Sequence, residues 1–170
     1  MTNGLISMVL EKIGFGGGCH WCTEAVFAAL DGVQTVEQGF VSASPPHESL
    51  SEVAIVHFDP ALIPLDVLIA IHTETHSAFS NHTMRGKYRS AVYTVDDAQA
   101  QSAKAALVAI THDMGKVPVT QVLDLVAFKS SDPRFQDYYA TDPERPFCKA
   151  YISPKLAHLR AEYGSRLKGS

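Results

Sequence analysis

The chain is predicted to fold as an α+β protein, a ferredoxin-like α/β sandwich with additional secondary-structure elements. Three observations lead there. The predicted elements run β-α-β-β-α-β, with a further helix and strand woven in. The segment Glu52–Phe58, EVAIVHF, is a firm apolar strand ended by Asp59-Pro60. Asp96 opens a long Ala-rich helix that Gly115 closes, a start and stop pair with a capping mechanism at each end.

The other elements follow in order. Lys12 to Phe15 is a short strand running into Gly16-Gly17-Gly18. From Trp21 to Leu30, Ala25, Val26, Ala29 and Leu30 recur at helical spacing, and Asp31-Gly32 stops the run. Gln34 to Val41 reads as a strand. Pro64 to His76 reads as a helix with Leu65, Leu68, Ile69 and His72 on one stripe. Arg89 to Val95 is a strand, the Asp96 helix extends to about Asp113, and Thr120 to Phe128 is predicted as the last strand. Phe135 to Tyr139 reads as a helical turn, and Pro154 opens a C-terminal helix to about Leu167.

Composition bounds the function. With 170 residues, 46% hydrophobic and 19% charged, the chain is long enough for one domain with a sizeable core. A net charge of −4 and the lack of a Lys/Arg run argue against a nucleic-acid surface. No apolar stretch is long enough to cross a bilayer, and Met1 to Leu10 lacks the basic start of a signal peptide. Three cysteines, Cys19, Cys22 and Cys148, are too few for a disulfide scaffold. They fit a reducing compartment, so a cytoplasmic location is expected.

The stretch Gly16 to Glu24, GGGCHWCTE, carries the chemistry. Cys19 stands where a glycine run hands over to a helix, whose first-turn amides and dipole favour an anion. A thiol so placed is drawn toward the reactive thiolate. The rival readings are a buried structural pair, a metal site and a thioredoxin-like dithiol. A tetrahedral zinc site needs four ligands; no second cysteine pair exists, though His72 and His76 share a helix face and could complete one. A thioredoxin-like enzyme would carry its Cys-x-x-Cys after a βαβ unit rather than after the first strand. The nucleophile reading of Cys19 leads. A thiol-disulfide or peroxide-reactive oxidoreductase using Cys19 and Cys22 is one alternative, and a non-enzymatic metal-binding or redox-sensing domain is another.

GGGCHWCTEAVF is similar to the GCFWxxE signature of the A-type peptide methionine sulfoxide reductases. The likeness continues in register. Gly39-Phe40 matches a Gly-Tyr, and Ser51-Glu52-Val53 with Phe58-Asp59-Pro60 matches HAEVxxVxYDP. Lys87 to Tyr93, KYRSAVY, matches QYRSAIY. Phe135 to Tyr139, Asp142-Pro143, Phe147-Cys148 and Pro154-Lys155-Leu156 resemble YHQxYL…NP…YC…PKL. The match spans nearly the whole chain, so residues 1–170 are expected to form one catalytic domain of that type, residues 1–8 being a disordered N-terminal extension.

The resemblance implies thiol-dependent reduction of methionine S-sulfoxide, free or in oxidised proteins, as repair of oxidative damage. Cys19 would attack the sulfoxide sulfur and become a sulfenic acid, a second thiol would condense with it to a disulfide, and thioredoxin or another dithiol would reduce that disulfide. No metal or organic cofactor is implied. Glu52 matches the family's acid and Tyr88 its oxygen-binding tyrosine. Strand alternation puts Glu52 on the face of Ala54, Val56 and Phe58, where desolvation is expected to favour a protonated carboxyl. Trp21, His20 and Phe40 fall at the substrate pocket, Trp21 matching the indole that receives the methyl group. Cys148 aligns with the resolving cysteine, in a loop-like stretch after Pro143 to Pro146, and Cys22 is the alternative resolver.

Three departures mark a divergent member. His20 replaces the signature's Phe. The loop between Phe40 and Glu52 is shorter than the family's and lacks its second oxygen-binding tyrosine, with Pro45-Pro46-His47 in its place. After His76, Ser77-Ala78 replace Asp-Pro, and the loop before Tyr88 lacks an Asp-containing segment. His47 is a candidate substitute donor, although an exposed loop histidine is the simpler reading.

Overall fold

The computed structural model describes residues 9–76, 78–80 and 87–169. The expected extension at residues 1–8, Ser77 and most of the loop before Tyr88 lie outside the described residues. Six strands form one sheet: β1 (Glu11–Gly16), β2 (Val33–Ser42), β3 (Ser51–Phe58), β4 (Ala91–Thr94), β5 (Gln121–Asp124) and β6 (Ala127–Ser130). Their order is β5-β4-β1-β3-β2-β6. The inner four, β4-β1-β3-β2, are antiparallel throughout, with helices α1 (His20–Ala28) and α2 (Leu65–Thr75) as the connections. This is the ferredoxin-like arrangement that the element order predicts. Helix α3 (Asp97–Met114) is the crossover that sets β5 parallel beside β4.

β3 is the central strand, and its run of apolar residues reflects burial on both faces. Val56 and Phe58 join Ile13, Phe15, Phe27, Leu30 and Ile69 in the main core beneath the helices. Val53 and Ile55 face the other way, into a smaller core with Val41, Ala43, Ala91 and Tyr93. The caps of α3 are those the sequence signals: the Asp96 side chain accepts from the Gln99 amide at 2.7 Å, and Gly115 takes the left-handed conformation at φ 71°.

The predicted strand Thr120 to Phe128 is in fact two strands at opposite edges of the sheet. Leu125 N–H donates to Thr94 O and Val126 N–H to Ser42 O, so the chain crosses from the β4 side to the β2 side within two residues. The sheet curls until these edges meet over the smaller core, where Leu123, Leu125 and Phe128 pack. Hydrophobic alternation continues through the crossing and hides it.

The C-terminal region also differs in detail. The turn expected at Phe135 to Tyr139 is a 3₁₀ turn, Pro133–Phe135, and a short helix α4, Tyr138–Thr141. They are separated by Asp137, whose φ of 53° is unusual for a residue with a side chain. Helix α5 (Ser153–Tyr163) is entered through a π-helical turn, Cys148–Ile152. Cys148 is therefore not in an open loop as its sequence suggests. Ile152 and Leu159 anchor this segment, each essentially fully buried. No described helix is long and apolar enough to cross a membrane.

Candidate active site

β1 delivers the chain to the mouth of α1 through glycines that the geometry requires. A side chain at Gly16 would meet Arg89 O at 2.8 Å and Glu52 O at 3.0 Å. Gly17 has φ +144°, and a Cβ there would meet the His76 ring at 2.5 Å. Cys19 is the N-cap of α1, in extended conformation, and its carbonyl accepts from the amides of Cys22 at 3.1 Å and Thr23 at 3.2 Å. Its side chain is half-buried. The Cys22 thiol hydrogen-bonds to it and lowers its pKa, the amides of Trp21 and Cys22 add to the effect, and together they outweigh burial and the Glu52 charge. The Cys22 thiol is pushed far up in turn, by that hydrogen bond, by burial and by the charge of Cys19.

Cys19 opens into a cleft of about 1050 Å³, open mouth included, lined also by His20, Trp21, Phe40, Glu52, Lys87, Tyr88, Ser131, Asp132, Phe135 and Phe147. The candidates at positions 19, 20, 21, 40, 52 and 88, spread over the entrance of α1, strands β2 and β3 and the loop before β4, thus meet in one place. Phe40 on β2 is in register with Glu52 on β3. Glu52 is 6% exposed on the face the alternation predicts. Its surroundings are more polar than an apolar pocket: Oε1 accepts the His20 amide at 3.2 Å and lies 3.5 Å from His20 Nε2, and Oε2 is 3.6 Å from Lys87 Nζ. Lys87 has its pKa raised, first by hydrogen bonding with Tyr88, then by the charges of Tyr88 and Glu52.

The apolar wall is built on Trp21. Its ring stacks on Tyr138, centroids 4.1 Å apart and planes at 12°, and meets the Phe147 ring edge-on at 5.5 Å. Its Nε1–H is buried without a partner.

The sequence reading missed what holds this wall. Glu24 of α1, 3% exposed, accepts from the amides of Asp137 at 2.9 Å and Tyr138 at 3.2 Å, and from Gln38 Nε2 at 2.8 Å. Gln136 completes the clamp by bonding both the amide and the carbonyl of Gln38. Burial raises the Glu24 pKa against these donors. The only sequence signal was a carboxylate in the signature stretch, on a helix that turns out to be buried.

Some candidates fall elsewhere. Cys148 is fully buried in the main core with Cys22, and burial pushes its thiol up. His47 is half-buried in the β2–β3 loop, away from the cleft lining. His72 Nε2 bonds Gly16 O at 2.8 Å and His76 Nε2 bonds the Ser90 hydroxyl at 2.8 Å, so both are occupied within the fold. Among the described residues no group of three or more His, Cys, Asp and Glu is arranged to hold a metal.

A peptide methionine sulfoxide reductase family model matches residues 11–167. The chain belongs to the peptide methionine sulfoxide reductase family. It is 34% identical to the peptide methionine sulfoxide reductase MsrA of Ralstonia nicotianae, covering 94% of each chain. With the MsrA of Deinococcus radiodurans it shares 33%, over 93% of this chain and 84% of the relative. Among solved structures, Mxr1 from Saccharomyces cerevisiae in reduced form has the same fold, with a TM-score of 0.69, 22% identity and coverage of 82% of this chain and 89% of that one. Mxr1 in complex with Trx2 matches with a TM-score of 0.61 at 18% identity, over 77% of this chain and 89% of that one. Family membership supports methionine sulfoxide reduction as the broad chemistry, and identities near one third mark a divergent member.

Proposed function

We propose that the chain reduces methionine S-sulfoxide, free or protein-bound, with Cys19 as nucleophile. The observation that carries this is the meeting of a thiol of lowered pKa, Glu52 and Tyr88 in one cleft walled by Trp21, Phe40 and Phe147. The sulfoxide methyl lies against Trp21 and its oxygen faces Glu52 and Tyr88. The Cys19 thiolate attacks the sulfoxide sulfur, Glu52 gives a proton to the oxygen, and the oxygen passes to Cys19 as methionine leaves. Sulfoxide sulfur gains the two electrons that the cysteine sulfur loses, and Cys19 becomes a sulfenic acid.

A second thiol then displaces water to form a disulfide, and a thioredoxin-type dithiol reduces it by exchange. Cys148 is the resolver the family alignment implies, and reaching Cys19 requires the Cys148–Ile152 turn to leave the core. Cys22 already hydrogen-bonds to Cys19, so it is the alternative that needs no such movement. The test is turnover of the separated S and R epimers with a dithiol reductant by wild type and Cys19→Ser. The expected result is S-selective reduction by wild type and a loss of at least about 10³-fold in the variant; equal rates in the two proteins reject the nucleophile.

The Cys19–Cys22 contact at a helix N-terminus also favours a second reading, general thiol-disulfide exchange. Reduction of a model disulfide faster than of either sulfoxide epimer would select it.

A further inference from the structure

We infer that His20 is a positioning residue that keeps a proton on the catalytic acid: His20 Nε2 and Glu52 Oε1 hold one proton between them, and Glu52 delivers it to the sulfoxide oxygen. The delivery step rests on the reaction proposed above; the shared proton does not.

The argument starts from the ring's other nitrogen. His20 Nδ1 lies 3.0 Å from Gly39 O on β2. A backbone carbonyl only accepts, so Nδ1 carries a hydrogen. In a neutral imidazole that leaves Nε2 with a lone pair. Nε2 faces Glu52 Oε1 at 3.5 Å, and both residues are 6% exposed, so no bulk water separates them. A lone pair against an ionised oxygen in a buried site repels. One proton in the pair makes the contact attractive, whether it sits on the carboxyl and points at Nε2 or on Nε2 and points at the carboxylate. At 3.5 Å the two atoms are in ion-pair contact, longer than a formed N–H···O hydrogen bond, and the bond tightens when substrate binds.

Other groups fix the pair in place. The amide of His20 itself donates to Oε1, and Lys87 Nζ approaches Oε2. The ring is walled by Phe40, edge-on at 5.4 Å, and by Trp21 at 6.0 Å. The remaining titratable groups lining the cleft are Cys19, Tyr88 and Asp132. In the reaction, the thiolate, the sulfoxide and this one proton give the sulfenic acid and the thioether; the pair is left one proton short and is reloaded from water.

The test is ¹⁵N NMR of histidine-labelled protein at neutral pH, with Glu52→Gln for comparison. The expected spectrum has His20 Nδ1 as a protonated nitrogen and Nε2 displaced from the lone-pair position, returning to that position in Glu52→Gln. An Nε2 signal identical in both proteins, or an Nδ1 without hydrogen, overturns the proposal. His20→Phe supplies the kinetic arm, since the family's fold accepts that ring. A loss in kcat/KM of at least about tenfold is expected, and retention within about twofold overturns the delivery role. A wild type with the nitrogen signature that turns over neither epimer overturns the assigned reaction, and the delivery role with it, while leaving the shared proton standing.

Discussion

Cys19 and Cys148 are the same side chain at two addresses, and the contrast shows what makes a thiol reactive in this fold. Cys19 is half-buried at the mouth of α1, with a thiol and two amides turned toward its sulfur. Cys148 is fully buried in a π-helical turn among apolar neighbours, where burial outweighs the pull of the Arg145 charge and disfavours an anion. Position on the scaffold decides which thiol is drawn toward its anion and which is pushed away from it; residue type does not. It also gives them different access: Cys19 lines the cleft, whereas Cys148 is sealed within its turn.

Alkylation is the strongest test of that contrast. At neutral pH, iodoacetamide is expected to modify Cys19 at least about 10²-fold faster than Cys148, because thiolate fraction and access act in the same direction. Peptide mass spectrometry over a time course reads both rates from one sample. Comparable rates would mean that the Cys148 turn opens freely, and the distinction between the two addresses would fall.

Loosening the turn should narrow the gap. Ile152 closes the π-helical turn and is fully buried. Ile152→Ala is expected to destabilise the protein by about 2–5 kcal/mol, the usual cost of such a cavity. Cys148 labelling should accelerate while Cys19 labelling stays within about twofold of wild type. Denaturant melts measure the first effect and the same alkylation assay the second.

A smaller effect is expected on the reactive side. Glu24→Ala strips the acceptor from the part-buried amides of Asp137 and Tyr138, at a net cost of about 0.5–1.5 kcal/mol for each hydrogen bond lost. It should free Tyr138 from its stack on Trp21, the only tryptophan in the chain. A red-shifted, more quenchable emission would report the loss. An unchanged spectrum would show that the clamp is not what sets the apolar wall.

The same contrast explains how much the sequence reveals. The helix-mouth thiol is legible because the glycine run, Cys19 and the start of α1 are consecutive, and local backbone rules decide their geometry. Glu52 is legible because strand period alone fixes its face, and β3 keeps that period unbroken. The caps Asp96 and Gly115 are local in the same way. The Glu24–Gln38–Gln136 clamp is not legible, since it joins three segments far apart in the chain through ordinary polar residues. Nor is the burial of Cys148, because Pro143 to Pro146 has the composition of a loop while the following turn is pinned by long-range packing. The division of Thr120 to Phe128 depends on sheet curvature, which apolar alternation does not record.

The smallest expected effect is on stability against pH, and its sign separates the two addresses again. Burial raises the Cys148 thiol in the folded state, so its contribution is fully present below the ordinary thiol value of about 8.5 and is lost as pH rises through the folded value. Over that window stability should fall by at most about 1.4 kcal/mol per pH unit from this group. Cys148→Ala removes the titrating group while keeping the site apolar. It is expected to lower stability at pH 7 through the lost sulfur, yet to flatten the decline between about pH 8.5 and 10. Urea melts across that range compare the slopes. Parallel declines in the two proteins would show that the thiol titrates as it does in the unfolded chain, which a sealed site does not allow.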